Sequence, residues 1–136
     1  MRKLVIAVVL LFSLVVPSLA EDAPEILVER WYKALATVDR AEFADLLTDD
    51  ATIVLEDQEV ELNKSEFLAS LTEWESAAKD TKVKHRLEGM ENGRMTMLVC
   101  YEFPENTTYT REIFSFRDGK ISASAQGAIG ETCEGF

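Results

Sequence analysis

The spacing of apolar residues changes once along this chain, just after Asp80, and that change limits the folds open to it. Before it, apolar residues recur every three or four positions, the period of helices; after it they alternate, the period of half-buried strands. In the second half, 82–90 reads as a strand and Asn92-Gly93 as a two-residue hairpin turn. The chain returns over 95–103, turns at Pro104-Glu105-Asn106, runs out over 107–117, turns at Asp118-Gly119 and returns over 120–129. In the first half, Asp22 stands three before Glu25 with Pro24 between them, a capping-box start. Leu27, Trp31, Ala34, Leu35 and Val38 mark the buried stripe that follows. Asp39 with Glu42 opens a short second helix that turns Phe43, Leu46 and Leu47 inward and ends at Thr48-Asp49-Asp50. Residues 51–55 are β-branched enough for a strand. Asn63 with Glu66 starts a third helix, with Phe67, Leu71, Trp74 and Ala78 buried and Leu68 beside them. The predicted order is α-α-β-α-β-β-β-β, an α+β domain with three helices packed on one face of a strongly curved, mainly antiparallel sheet.

The first twenty residues stand apart from this domain. Met1-Arg2-Lys3 is basic, 4–16 is apolar, Pro17 breaks the run, and Ser18-Leu19-Ala20 offers small residues, the order of a cleavable signal peptide. A membrane anchor needs about 20 apolar residues, and this run is shorter. The expectation is cleavage near Ala20, a single domain over 21–136, and a secreted or periplasmic location with no membrane insertion after cleavage. The chain has 25 acidic and 14 basic residues, a formal charge of −11. Such a surface repels phosphate backbones and anionic lipid, which argues against nucleic acid or membrane-surface partners. In an oxidising compartment Cys100 and Cys133 suggest one disulfide; the alternative is two separate buried thiols. With one histidine and no ligand spacing, no metal is expected, and no other cofactor.

Residues 30–35, Arg-Trp-Tyr-Lys-Ala-Leu, and 43–53, Phe-Ala-Asp-Leu-Leu-Thr-Asp-Asp-Ala-Thr-Ile, resemble the opening of the nuclear transport factor 2-like superfamily, which includes SnoaL-like and ketosteroid isomerase-like proteins. Residues 111–121, Arg-Glu-Ile-Phe-Ser-Phe-Arg-Asp-Gly-Lys-Ile, resemble its closing hairpin. The resemblance implies a cone, with helices along one side of a bent sheet and a pocket at the wide end. Members of that superfamily isomerise, hydrate, cyclise, oligomerise or simply bind, so function must come from the site.

The resemblance implies three functional positions for a steroid isomerase. The base position falls on Leu55, with Glu56 adjacent but on the opposite strand face. The helix tyrosine falls on Trp31, with Tyr32 adjacent. Only the protonated acid is matched, by Glu112. An epoxide hydrolase would need a carboxylate where Gln126 stands and an arginine where Thr110 stands, so its acid–base pair is missing. Neither enzyme set is complete.

Glu112 is the candidate catalytic residue. It shares a strand face with Phe114 and Phe116, which the superfamily turns toward the pocket, and burial among aromatics raises a carboxylate's pKa. The plain alternative is a rim carboxylate paired with Arg111, Lys84 or Arg86. His85 sits mid-strand on the face of Val83 and Leu87, a core residue unless it reaches Glu112. Met97, Val99 and Tyr101, with Met95 and Phe103, form a stripe that serves as core and pocket wall together. Trp31, Phe67, His85 and Phe114 are expected to join that wall. On the last strand simple patterning would turn Ser122, Ser124 and Gln126 to water and Ile121, Ala123 and Ala125 to the core. The superfamily's parity, preferred here, does the reverse, placing Ser124 and Gln126 in the pocket and Ile121 and Ala123 on the outer sheet face, where small apolar residues suit a homodimer. Cys100 then points outward, where a folded-back tail could bring Cys133 to it.

These residues favour an exported binding protein for a small apolar or amphipathic molecule. Two rivals remain: an isomerase, cyclase or hydratase using Glu112 on a lipophilic substrate, and a dimerisation or partner-docking domain with a filled cone.

Overall fold

The computed structural model describes residues 22–136; the signal-peptide reading over 1–20 lies outside the described residues. Helix α1 (Pro24–Thr37) leads to α2 (Arg40–Leu46), which runs directly into strand β1 (Leu47–Leu55). A single 3-10 turn, Glu56–Gln58, and strand β2 (Val60–Asn63) precede α3 (Lys64–Ala78). Four strands complete the chain: β3 (Lys82–Glu91), β4 (Arg94–Glu102), β5 (Thr107–Arg117) and β6 (Lys120–Gly130). They form one sheet in the order β2-β1-β6-β5-β4-β3. All neighbours are antiparallel except β1 and β6, which run parallel.

Local chemistry explains most boundaries. Asn63 and Glu66 form the reciprocal capping box that starts α3, and Asp39 accepts from the Glu42 N–H to start α2. Asn92-Gly93 and Asp118-Gly119 both take left-handed φ at both positions, 51° and 73° then 53° and 68°, as a type I′ hairpin requires. Lys64 reaches back from the first turn of α3 to the carbonyls of Ala44 and Leu47, at 2.7 and 3.1 Å. It thereby satisfies acceptors that the end of α2 leaves open.

Four details depart from the sequence reading. Asp22 does not cap α1: the N-cap is Ala23 with no side-chain bond, and Asp22 instead pairs with Arg30, which also holds Glu42 and Asp45 of α2. A central arginine with three carboxylates in reach outcompetes a local cap. Strand β1 begins at Leu47, so Thr48-Asp49-Asp50 lies inside it. The 3-10 turn and β2 were not anticipated, because four residues with a single alternation carry too little pattern to read. Finally, Ile121 is fully buried rather than on the outer face. The β5–β6 register jumps from Ser115↔Ala123 to Phe116↔Ile121, and the bulge at Ser122 reverses the parity beyond it.

The core lies between the helices and the inner sheet face. Trp31 stacks on Phe67 and meets Phe43 and Phe114 edge-on, with centroids 4.9–5.3 Å apart. Leu27, Val28, Leu46, Ile53, Leu71 and Ile121 fill around this cluster. Each such side chain contributes roughly 1.5–3 kcal/mol on leaving water. On the outer face Cys100 is bonded to Cys133 with Cα atoms 5.7 Å apart, which straps the C-terminal tail across β4 and β5. Phe136 there meets Tyr109 edge-on and lies under the Arg86 guanidinium. None of the described helices is long and apolar enough to cross a membrane.

Candidate functional site

The inner sheet face, α1, α3 and the Glu56–Gln58 turn surround a cavity of about 380 Å³, within the range of small-ligand sites. Alternation sets its sheet wall: Tyr101 from β4, Phe103 just past the end of that strand, and Thr108 and Thr110 from β5 border it, with Gln126 from β6. Helical spacing sets the opposite wall, where α1 presents Trp31 and Leu35, and α3 presents Phe67, Ser70, Leu71 and Trp74. Tyr101 and Phe103 lie nearly parallel, with Trp74 standing almost perpendicular to both at 6.1 and 6.5 Å. The Trp74 N–H is fixed by the Leu35 carbonyl at 2.8 Å. Asp57 and Gln58 border the cavity from the 3-10 turn, and Asp57 Oδ2 accepts from the Ala128 N–H at 2.9 Å.

Behind this wall sits Glu112, which is fully buried. Three hydroxyls donate to its carboxylate: Tyr32 to Oε1 at 2.9 Å, Tyr101 to Oε2 at 2.6 Å and Thr110 to Oε2 at 2.9 Å. Loss of solvent raises its pKa above the ordinary 4.5, and the three hydrogen bonds oppose that shift without cancelling it. Burial also lifts Tyr32 and Tyr101 well above 10, and the neighbouring carboxylate adds to the shift. Among the described residues no cation forms an ion pair with Glu112. Arg111 binds Glu88, Lys84 binds Glu102, and Arg86 lies over Phe136.

The cavity brings together Trp31, Phe67, Tyr101 and Gln126 of the residues expected from sequence. Glu112 does not itself line it and touches it through Tyr101 and Thr110. Val99, Phe114 and Ser124 are buried in the core without bordering it. His85 and Met97 border a separate small hollow of about 110 Å³ beside Glu25, Val28 and Glu29. There the His85 ring stacks on Tyr32 at 4.2 Å, and its Nε2 lies 2.9 Å from Glu29 Oε1. His85 therefore reaches Glu112 only through the intervening Tyr32 ring.

Several residues of the cavity wall and of the Glu112 cluster were not singled out from the sequence. Tyr32 was visible only as a neighbour of Trp31, yet both are buried because the helix face toward the sheet is wide enough for adjacent positions. Thr110 stood out only as the absence of an arginine, though its place two before Glu112 puts both on one strand face. Trp74 read as core; it packs against the core cluster and borders the cavity as well. Asp57 and Gln58 belong to the turn that had no sequence signal at all.

No protein-family model matches the chain, and no curated protein does. Solved structures do match, 306 of them, so the architecture is a common one and names no activity by itself. A nuclear transport factor 2-like protein of unknown function from Burkholderia xenovorans LB400 is 19% identical with a TM-score of 0.66, over 81% of this chain and 84% of that one. A candidate ketosteroid isomerase from Kribbella flavida is 15% identical with a TM-score of 0.63, over 80% and 78%. IdmH, a candidate polyketide cyclase from Streptomyces antibioticus, is 14% identical with a TM-score of 0.59, over 79% and 93%. With three helices on a six-stranded curved sheet and these matches across most of its length, the chain has the nuclear transport factor 2-like fold that its sequence resembles.

Proposed function

We propose that this is an exported binding protein for a small apolar or amphipathic molecule. The observation that carries the reading is the aromatic-walled cavity of about 380 Å³, which a filled docking domain would lack. Its polar groups come from the sheet (Thr108, Thr110, Gln126 and the Tyr101 hydroxyl), the 3-10 turn (Asp57, Gln58) and Ser70 of α3, set among apolar and aromatic side chains as in many small-ligand sites. The candidate isomerase and cyclase among the structural matches are in keeping with a lipophilic occupant. Export draws support from the Cys100–Cys133 disulfide, a bond kept in oxidising compartments. A homodimer through the outer sheet face would use Ile113, Ala123 and Ala125, which are half-exposed.

A catalytic reading has one observation in its favour, the Tyr101 hydroxyl held by a buried carboxylate at the cavity wall. Burial and Glu112 both raise the Tyr101 pKa, so this phenol holds its proton rather than giving it up. Glu112 is better described as the group that positions Tyr101 and Thr110.

The test is titration with the neutral fluorophore N-phenyl-1-naphthylamine, with Ser70→Trp to fill the cavity. Saturable binding that Ser70→Trp abolishes while leaving the thermal midpoint within a few degrees supports the reading. No binding, or binding indifferent to the substitution, overturns it.

A further inference from the structure

The lining of the cavity is lopsided in charge. Five aromatic rings border it, from Trp31, Phe67, Trp74, Tyr101 and Phe103. Among the described residues no lysine, arginine or histidine does, and the one charged lining residue is Asp57. Tyr101 and Thr110 direct their protons at Glu112, 2.6 and 2.9 Å away. Toward the cavity these two hydroxyls therefore present lone pairs. The N–H of Trp74 is taken by Leu35, and the Ser70 hydroxyl by the Phe67 carbonyl at 2.6 Å. Trp31 Nε1 has no protein partner but is buried out of contact with the cavity's solvent. Gln58, Gln126 and Thr108 also line the cavity and can donate as well as accept, so the one-sidedness lies in charge: ring faces and one carboxylate attract positive charge.

We propose that the ligand is an organic cation, an ammonium on an apolar or aromatic body, held among the Trp74, Tyr101 and Phe103 rings with Asp57 as its counter-charge at the mouth. This rests on the binding reading above and gives its ligand class. Ring faces attract cations through their quadrupoles, most strongly when the cation is weakly hydrated. Trp74 standing almost perpendicular to the parallel Tyr101 and Phe103 rings gives the edges of a partial cage. Asp57 keeps carboxylate capacity free beyond its one bond to the Ala128 N–H. The chain's formal charge of −11 draws cations toward the surface and holds anions off. A fatty-acid carboxylate or a phosphate would meet the Asp57 carboxylate and no lysine, arginine or histidine among the described lining residues.

The probes are three molecules of one shape: phenethyltrimethylammonium, its uncharged carbon isostere (3,3-dimethylbutyl)benzene, and 3-phenylpropanoate as the anion. Each competes against N-phenyl-1-naphthylamine on the full mature chain, with calorimetry as a second readout. Both tryptophans of the chain border the cavity, so quenching of their emission reports occupancy directly. The expected result is displacement by the cation at a concentration about tenfold below the isostere, with the anion weakest. In Asp57→Asn, which keeps the acceptor for Ala128, that preference falls about threefold. An isostere or anion that competes as well as the cation overturns the proposal, as does failure of all three against a bound naphthylamine. An unchanged preference in Asp57→Asn overturns the assigned counter-charge. Failure of the naphthylamine itself to bind is the separate result that removes the binding reading.

Discussion

Replacing Glu112 by glutamine tests the balance that defines the buried end of the site. Oε2 accepts from both Tyr101 and Thr110, whereas Oε1 accepts only from Tyr32. Glutamine can keep its oxygen where two donors converge and turn its amide toward the Tyr32 oxygen, which leaves one hydroxyl proton without an acceptor. That group costs about 1–3 kcal/mol, and it is set against relief from burying a charge. The decisive quantity is therefore the pH dependence. The folded-state pKa of Glu112 is raised, so its contribution to stability is fully present below the unfolded value near 4.5 and is lost as pH rises through the folded one. Glutamine does not titrate. Wild-type stability relative to Glu112→Gln should therefore fall as pH climbs above about 4.5, by at most about 1.4 kcal/mol per unit. Asp45, Asp50 and Glu88 have lowered pKa values from partnering arginines, so they act in the opposite direction. They are common to both proteins and cancel in the difference. Urea denaturation of both proteins from pH 4 to 8, at fixed ionic strength with the disulfide intact, measures it. Parallel curves would refute the raised pKa. A wild-type advantage that grows with pH would show that the three hydrogen bonds outweigh burial. Glu112→Ala, which strands all three hydroxyls and opens a void, should lose more than about 3 kcal/mol at every pH.

Two further outcomes follow from the scaffold. Asn63→Ala removes half of the α3 capping box and should lower stability by about 1 kcal/mol, read as a shifted urea midpoint at constant slope. Cys133→Ser opens a loop of 33 residues and should lower stability by about 4 kcal/mol, with the same loss on reducing the wild type and none on reducing the variant.

The sequence made the scaffold legible where local chemistry alone decides. The capping pair of α3, the two left-handed turns and the inward faces of β4 and β5 depend on a few adjacent residues. Alternation put Glu112 on one face with Phe114 and Phe116 and the resemblance turned that face inward, but burial and a rim position paired with Arg111, Lys84 or Arg86 both stayed open until the structure showed it fully buried. What surrounds it could not be read. Tyr32, 80 residues away, meets it only because α1 crosses β4 and β5. The Ser122 bulge that turns Ile121 inward leaves no mark on composition, and Arg30 gathers carboxylates from both ends of the helical pair. Asp57 lies in a turn whose position depends on a backbone donor in β6. Those are tertiary choices, invisible to any window of ten residues.

The parallel pairing of β1 with β6 has a consequence for how the molecule comes into being. Because β6 sits between β1 and β5, the first-made strands cannot join the sheet until residues 120–130 are available. The meander from β3 to β5 can close hairpin by hairpin, while β1 and β2 stay a separate piece with both edges unpaired. The molecule should therefore be unable to mature progressively from its amino end: a ribosome-bound chain short of β6 holds two incompatible halves. The final strand acts as the keystone, and the step that sets it carries the longest loop closure in the sheet.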